Sequence, residues 1–143
     1  MFPMKQKLSA TQEKGRRAEN AVASLLREEG YLLLAQNYSV PGKGEIDLIA
    51  KKDGVIHFIE VKSIKLAVSS ETDPKKLIEK SYNPAENVTR KKYERIYRTA
   101  QDFLRNENVS HETFQIDLYL VYVWEKEGER RFFIKTLKDI VVS

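Results

Sequence analysis

Two apolar runs, Glu45–Lys52 and Val55–Ser63, are joined by Asp53-Gly54. A two-residue Asp-Gly connection is the strongest local signal for a β-hairpin, because both central residues must take positive φ and Asp and Gly tolerate it. Nothing else in the chain constrains the fold as tightly, since a two-residue turn also dictates register. Lys52 pairs with Val55, which sets Asp47 opposite Glu60 and Glu45 opposite Lys62. Opposed residues share a face and side chains repeat every second position, so all four are expected on one side of the sheet. Directly opposed side chains sit ~4.5–5.5 Å apart at Cβ. Two carboxylates that close can both reach one cation, whose oxygen ligands lie at roughly 2.0–2.6 Å.

Such an arrangement needs a reason. Like charges directly opposed across a strand pair are destabilising. The neighbours Ile46, Leu48, Ile49, Phe58, Ile59 and Val61 are apolar enough to mark both strands as central. Buried carboxylates need a cation beside them, either a metal ion or Lys62 as a plain salt-bridge partner. Composition narrows the metal. The chain has no cysteine and two histidines, His57 and His111. Disulfides, thiolate zinc sites, iron–sulfur clusters and cysteine nucleophiles are excluded, and little remains for a histidine-built centre or a Ser-His-Asp triad. An oxygen-ligated ion such as magnesium, manganese or calcium is left. Phosphodiester hydrolysis is the chemistry that uses this set, with a lysine to orient water or stabilise developing charge.

The remaining elements follow from periodicity. A first helix should start near Ser9, with Gln12 three residues on, and end by Gly30. Ala18, Ala21, Val22, Leu25 and Leu26 form its apolar stripe. Glu19 borders that stripe, although periodicity alone favours an ordinary exposed helix glutamate. Tyr31–Tyr38 reads as a strand, Ile64–Asn87 as irregular with Pro74 and Pro84 as breakers, and Val88–Asn106 as a second helix. Phe114–Trp124 is a strand, and Glu127-Gly128 turns into a last one, Arg130–Lys135. The expected fold is therefore a single α/β domain over residues 1–143, helices packed on a small mixed sheet in the order α-β-β-β-α-β-β. No apolar run approaches a membrane span, so the chain reads as cytoplasmic.

Charge is unevenly spread. The 25 basic and 21 acidic residues give +4 overall. Between Lys75 and Arg98 eight basic residues face three acidic ones, a local +5. A solvated helix face gives such a count as readily as a polyanion site does. Arg90, Lys91 and Lys92 nevertheless fall in the first turn of the second helix, where basic charge opposes the helix dipole. That placement favours a reason outside the helix, and phosphate contact is one, with Arg95, Lys75 and Lys76 alongside. Tyr93 and Tyr97 share the apolar side of this helix and read as core, with Tyr82 a third ring near the cluster. Asp117, in an apolar strand, is equally an extra acid near the site or a structural hydrogen-bond partner. His57, opposite Ala50, reads as structural.

Gly15-Arg-Arg-Ala-Glu19, Gly30-Tyr31, Asn37-Tyr38, Gly44-Glu-Ile-Asp-Leu-Ile-Ala50 and Phe58-Ile-Glu-Val-Lys62 resemble the YraN family, a group of expected nucleases with a restriction-endonuclease-like fold. Asn87-Val-Thr-Arg-Lys-Lys92, Ala100 to Leu104 and Phe114-Gln-Ile-Asp-Leu118 are similar to the family's second half. The resemblance covers most of Gly15–Val123, and Gly44–Ala50 followed by Phe58–Lys62 is its specific part. It implies a three-layer sandwich and matches Asp47, Glu60 and Lys62 to the Asp…Glu-x-Lys nuclease signature, with Glu19 as the helix acid near the metal. On this reading Asp47, Glu60, Glu19 and the Val61 carbonyl hold Mg2+ or Mn2+, and Lys62 positions water. The implied substrate is DNA, branched or junction DNA included, with a homodimer as the acting form. Ser63-Ile64 departs from the family's Thr-Arg, and the Ile64–Val88 segment is longer than expected. The rival class is a nucleic-acid-binding module of the same fold without turnover, in which the basic second helix carries function.

Overall fold

A computed structural model describes residues 10–69, 71–80 and 88–141. The expected cap Ser9, the ring Tyr82, Pro84 and the end of the irregular segment at Asn87 lie outside these residues. Eight elements follow one another: α1 (Ala10–Glu28), β1 (Leu32–Val40), β2 (Gly44–Lys52), β3 (Val55–Lys65), α2 (Pro74–Lys80), α3 (Arg90–Asn106), β4 (Thr113–Lys126) and β5 (Glu129–Leu137). The five strands form one mixed sheet in chain order, antiparallel except for the parallel pair β3–β4. A parallel pair needs a crossover, and α2 with α3 supplies it.

The sheet lies between two helical layers. Ala18, Val22, Ala23 and Leu26 of α1 pack with Leu48, Ala50, Ile59, Tyr119 and Val121 on one face. Ile96, Ala100, Phe103 and Leu104 of α3 pack with Ile46, Ile49, Ile56, Phe58 and Ile116 on the other. A third cluster extends the α3 side through Ile78, Val88, Leu118, Leu120 and Tyr122. Both expected turns form. Asp53 and Gly54 take φ of 51° and 77°, and Glu127 and Gly128 take 54° and 77°, the positive pair that matches strand twist.

The expected order omits α2. Pro74 starts this helix instead of breaking one: Asp73 Oδ1 accepts from Lys75 N at 3.0 Å, and proline suits a first helical position whose N–H would have no partner. The second helix begins at Arg90, one residue beyond its cap Thr89, whose side chain accepts from Lys92 N at 3.1 Å. No helix among the described residues is long and apolar enough to cross a membrane.

Candidate active site

The register dictated by Asp53-Gly54 holds from Lys52↔Val55 to Leu48↔Ile59 and then stops. Beyond that point β3 stays beside β4 as far as Lys65↔Val123, while β2 stays beside β1 as far as Gly44↔Val40. The sheet forks. Asp47 and Glu60, expected as a directly opposed pair, therefore flank the opening of the fork without pairing, and Glu45 does not stand opposite Lys62. The β1 side contributes to the split. Asn37, with φ of 54°, interrupts the ladder between Gln36↔Leu48 and Tyr38↔Ile46, at the level of Asp47. Ile46 and Ile49, three positions apart, consequently pack in one cluster, where strict alternation would put them on opposite faces. β2 thus changes face between Ile46 and Leu48, while its register with β1 is the same on both sides of Asp47 and the register shift of β1 lies between Leu33 and Ala35.

The fork gathers carboxylates from both layers. Val61 N donates to Asp47 Oδ2 at 2.8 Å, which fixes that carboxylate between the strands. Ile59 and Val61 pack on the α1 side, so Glu60 and Lys62 face the α3 side. There Lys92 Nζ lies 3.0 Å from Glu60 Oε1, the two side chains being 43% and 15% exposed. Glu19 comes from α1 and is half-buried, against the expectation from periodicity alone. Its Oε2 is buried without a hydrogen-bond partner. Glu45 is exposed, and its charge acts on Glu19.

Electrostatics reflects this crowding. Burial raises the Glu60 carboxyl to about 7, the Asp47 charge pushes it the same way, and Lys92 pulls it back. Asp47 is raised by burial, against the Val61 N–H and Lys92. Glu19 is raised by burial and by Asp47, while the Asn37 amide and Arg16 lower it. Three acids in one neighbourhood thus all resist ionisation, a pattern common at functional sites. Among the described residues no three Asp, Glu or His side chains already surround a common point at metal-ligand spacing. Asp47 takes the Val61 N–H and is also in hydrogen-bond contact with the side chains of Glu60 and Glu19, while Glu60 meets Lys92 as well.

Lys75 and Lys76 of α2 and Arg90, Lys91 and Arg95 of α3 are exposed on the α3 side of the sheet, Arg90 within 3.4 Å of Glu94. Two features escape sequence reasoning. One is the Lys92–Glu60 pair, whose signal was the uncompensated basic first turn. The other is Asn37, legible only as a strand asparagine, a residue type enriched at positive φ. His57 and Asp117 settle as a structural pair: His57 Nδ1 lies 2.7 Å from Asp117 Oδ2, and Asp117 Oδ1 accepts from Gln115 Nε2 and Asp139 N, both at 2.8 Å. They lie on the α1 side, away from Glu60. Tyr93 packs in the core as expected, whereas Tyr97 is 39% exposed and stacks on it. A cavity of about 530 Å³ between α1 and the β3–β5 end is lined by Arg17, Ala18, Lys65, Trp124 and Phe132 among others, and by none of the three carboxylates.

The sequence model described as "Uncharacterised protein family UPF0102" matches residues 18–121, a span holding Glu19, Asp47, Glu60, Lys62 and Lys92. Similar curated proteins are named UPF0102 proteins. A UPF0102 protein of Sulfurovum sp. is 30% identical over 107 residues, covering 75% of this chain and 81% of the relative. One from Wolinella succinogenes is 35% identical over 97 residues, 68% and 75% of the two chains. One from Chloroherpeton thalassium is 29% identical over 126 residues, 88% and 86%.

Proposed function

The chain belongs to the uncharacterised protein family UPF0102, the YraN-like family, and we propose that it is a divalent-metal-dependent nuclease of restriction-endonuclease-like fold acting on DNA, branched or junction DNA included. The observation that carries this reading is the convergence of Glu19, Asp47 and Glu60, from three different elements, on the mouth of a forked sheet beside Lys62. The donor set suits Mg2+ or Mn2+: carboxylate oxygens without a thiolate or imidazole, with the buried Glu19 Oε2 lacking any hydrogen-bond partner. Asp47 and Glu60 would hold the ion, with the Val61 carbonyl and Glu19 beside them. When bound, such an ion supplies Lewis-acid stabilisation at the phosphate and lowers the pKa of water.

The chain's own groups do the rest. Val61 N keeps Asp47 aimed into the fork. Lys62 orients the attacking water and stabilises charge developing on the phosphate oxygens. Exposed Arg90, Lys91, Arg95, Lys75 and Lys76 take backbone phosphates on the α3 side, a contact that weakens with salt. The same reading carries a homodimer as the acting form.

A second reading, a nucleic-acid-binding module without turnover, is favoured by one observation: Lys92 already neutralises Glu60 without a metal. Calorimetric titration of Mn2+ into the unsubstituted protein and Asp47→Ala separates the two, followed by cleavage assays on linear and branched DNA. Saturable binding lost in the variant, with metal-dependent cleavage, is the expected result. DNA binding that persists in chelator, with no cleavage under any metal, selects the module.

A further inference from the structure

The Lys92–Glu60 ion pair joins an exposed, flexible stem to a carboxylate fixed on a central strand, at the mouth of the fork. We propose that Lys92 is a tethered counter-cation which occupies the Glu60 side of the carboxylate site in the metal-free protein, and which a divalent ion displaces. The inference rests on the metal-dependent reading above and adds a residue that the nuclease signature does not contain.

Four observations support it. The Thr89 cap accepts from Lys92 N, and Tyr93 N donates to Thr89 O at 2.9 Å, so the backbone that carries the lysine is held firmly. The first turn of α3 contains no acid to offset its three basic residues, and a cation there opposes the helix dipole. Glu60 is the compensating charge for Lys92, and it comes from another element. Lys92 also acts electrostatically on Asp47, so one ammonium serves two carboxylates. Finally, the Asp47 side chain is in hydrogen-bond contact with both Glu60 and Glu19, so the three carboxylates already adjoin, and Lys92 Nζ stands 3.0 Å from Glu60 Oε1 on their α3 side. An ion that takes Glu60 as a ligand competes with the lysine for that carboxylate.

The exchange is physically reasonable. An ammonium on a four-carbon stem is a compact point charge with its own strong hydration. The Lys92 side chain, at 43% exposure, already reaches water. A divalent ion held by two or three carboxylates gains more from the site than one singly charged group at one contact. Once displaced, the ammonium lies beside Arg90 and Lys91, where it adds to phosphate binding. Metal binding and nucleic-acid binding become coupled, and the coupling must be reciprocal.

The test is calorimetric titration of Mn2+ at pH 8.5, where carboxylate protons do not compete, into the unsubstituted protein, Lys92→Gln, Lys92→Arg, Arg98→Gln and Asp47→Ala. Lys92→Gln should bind Mn2+ about tenfold more tightly, the effect of removing one competing ion pair. Lys92→Arg should match the unsubstituted protein, as should Arg98→Gln, which removes an exposed positive charge of the same helix. Equal or weaker binding by Lys92→Gln, with binding still lost in Asp47→Ala, overturns the counter-cation and leaves the metal site standing. No Mn2+ binding by the unsubstituted protein, with or without a DNA oligonucleotide, overturns both. If Lys92→Gln does not fold, the Lys92 ammonium resonance of the unsubstituted protein decides: its slowed proton exchange should be lost on adding Mg2+, and exchange that Mg2+ leaves unchanged overturns the proposal.

Discussion

Asp47 is the side chain on which the other acids depend. Its Oδ2 accepts from Val61 N at 2.8 Å, and its charge raises both Glu60 and Glu19. Asp47→Asn keeps an oxygen for the Val61 N–H and removes the charge. Cleavage should be abolished while the thermal midpoint at pH 8 stays level or rises, because two neighbouring carboxylates lose a repulsive partner. A nuclease assay paired with thermal melts checks both halves, and activity equal to the unsubstituted protein would sink the assignment. Lys62→Ala should also abolish cleavage with the fold intact, read in the same pair of measurements. Single residues were unevenly legible. Asp47, Glu60 and Lys62 stand out because charge interrupts apolar strands. Glu19 does not, since a residue at the margin of a helix stripe faces the sheet or the solvent according to how the helix rolls, which periodicity leaves undetermined.

At the scale of elements, the hairpin register was legible as far as local chemistry dictates it. Asp53-Gly54 specifies every pair down to Leu48↔Ile59. The fork beyond is non-local: it depends on the long parallel partnership of β3 with β4, some fifty residues later in the chain, and on the turn of β1 at Asn37. Helix α2 is not legible in the sequence for a different reason, since proline terminates a helix from within but initiates one from its first turn. Gly44, at the start of β2, shows how α3 constrains the strand that carries Asp47. Its φ is 154°, and a Cβ there would stand 3.0 Å from Thr99 Oγ1, a hydroxyl held by Arg95 O at 2.8 Å. Gly44→Ala must strain the backbone and push a buried threonine out of its bond, at a cost of about 1–3 kcal/mol. Denaturant unfolding should show the midpoint falling with the slope unchanged. Stability equal to the unsubstituted protein would mean that β2 approaches α3 less closely than this.

For the whole molecule, the forked sheet stores a conflict between folding and ionisation. Folding raises the pKa of Glu60, Asp47 and Glu19 together. An acid whose folded pKa exceeds its unfolded one binds its proton more tightly in the native state, so its contribution to stability is fully present below the unfolded value. That contribution is lost as pH rises through the folded value. For Glu60 the window runs from 4.5 to about 7, which at ~1.4 kcal/mol per unit of pKa amounts to about 3 kcal/mol. Asp47 and Glu19 add in the same direction. Other carboxylates titrate oppositely, so the informative quantity is the stability of the unsubstituted protein minus that of Asp47→Asn, measured by urea unfolding from pH 5 to 8.5. This difference should fall steadily across the window, and a flat profile would mean that the acids do not share the fork. Mn2+ should reverse the fall, because an ion that binds only the native state stabilises by mass action, ~2.7 kcal/mol at a hundredfold excess over its Kd. The reversal should be strong at pH 8.5 and nearly absent at pH 5, where protons already neutralise the carboxylates. Equal stabilisation at both pH values would place the ion elsewhere on the molecule, and the fork would then be a structural feature in which Lys92 serves as counter-charge to Glu60.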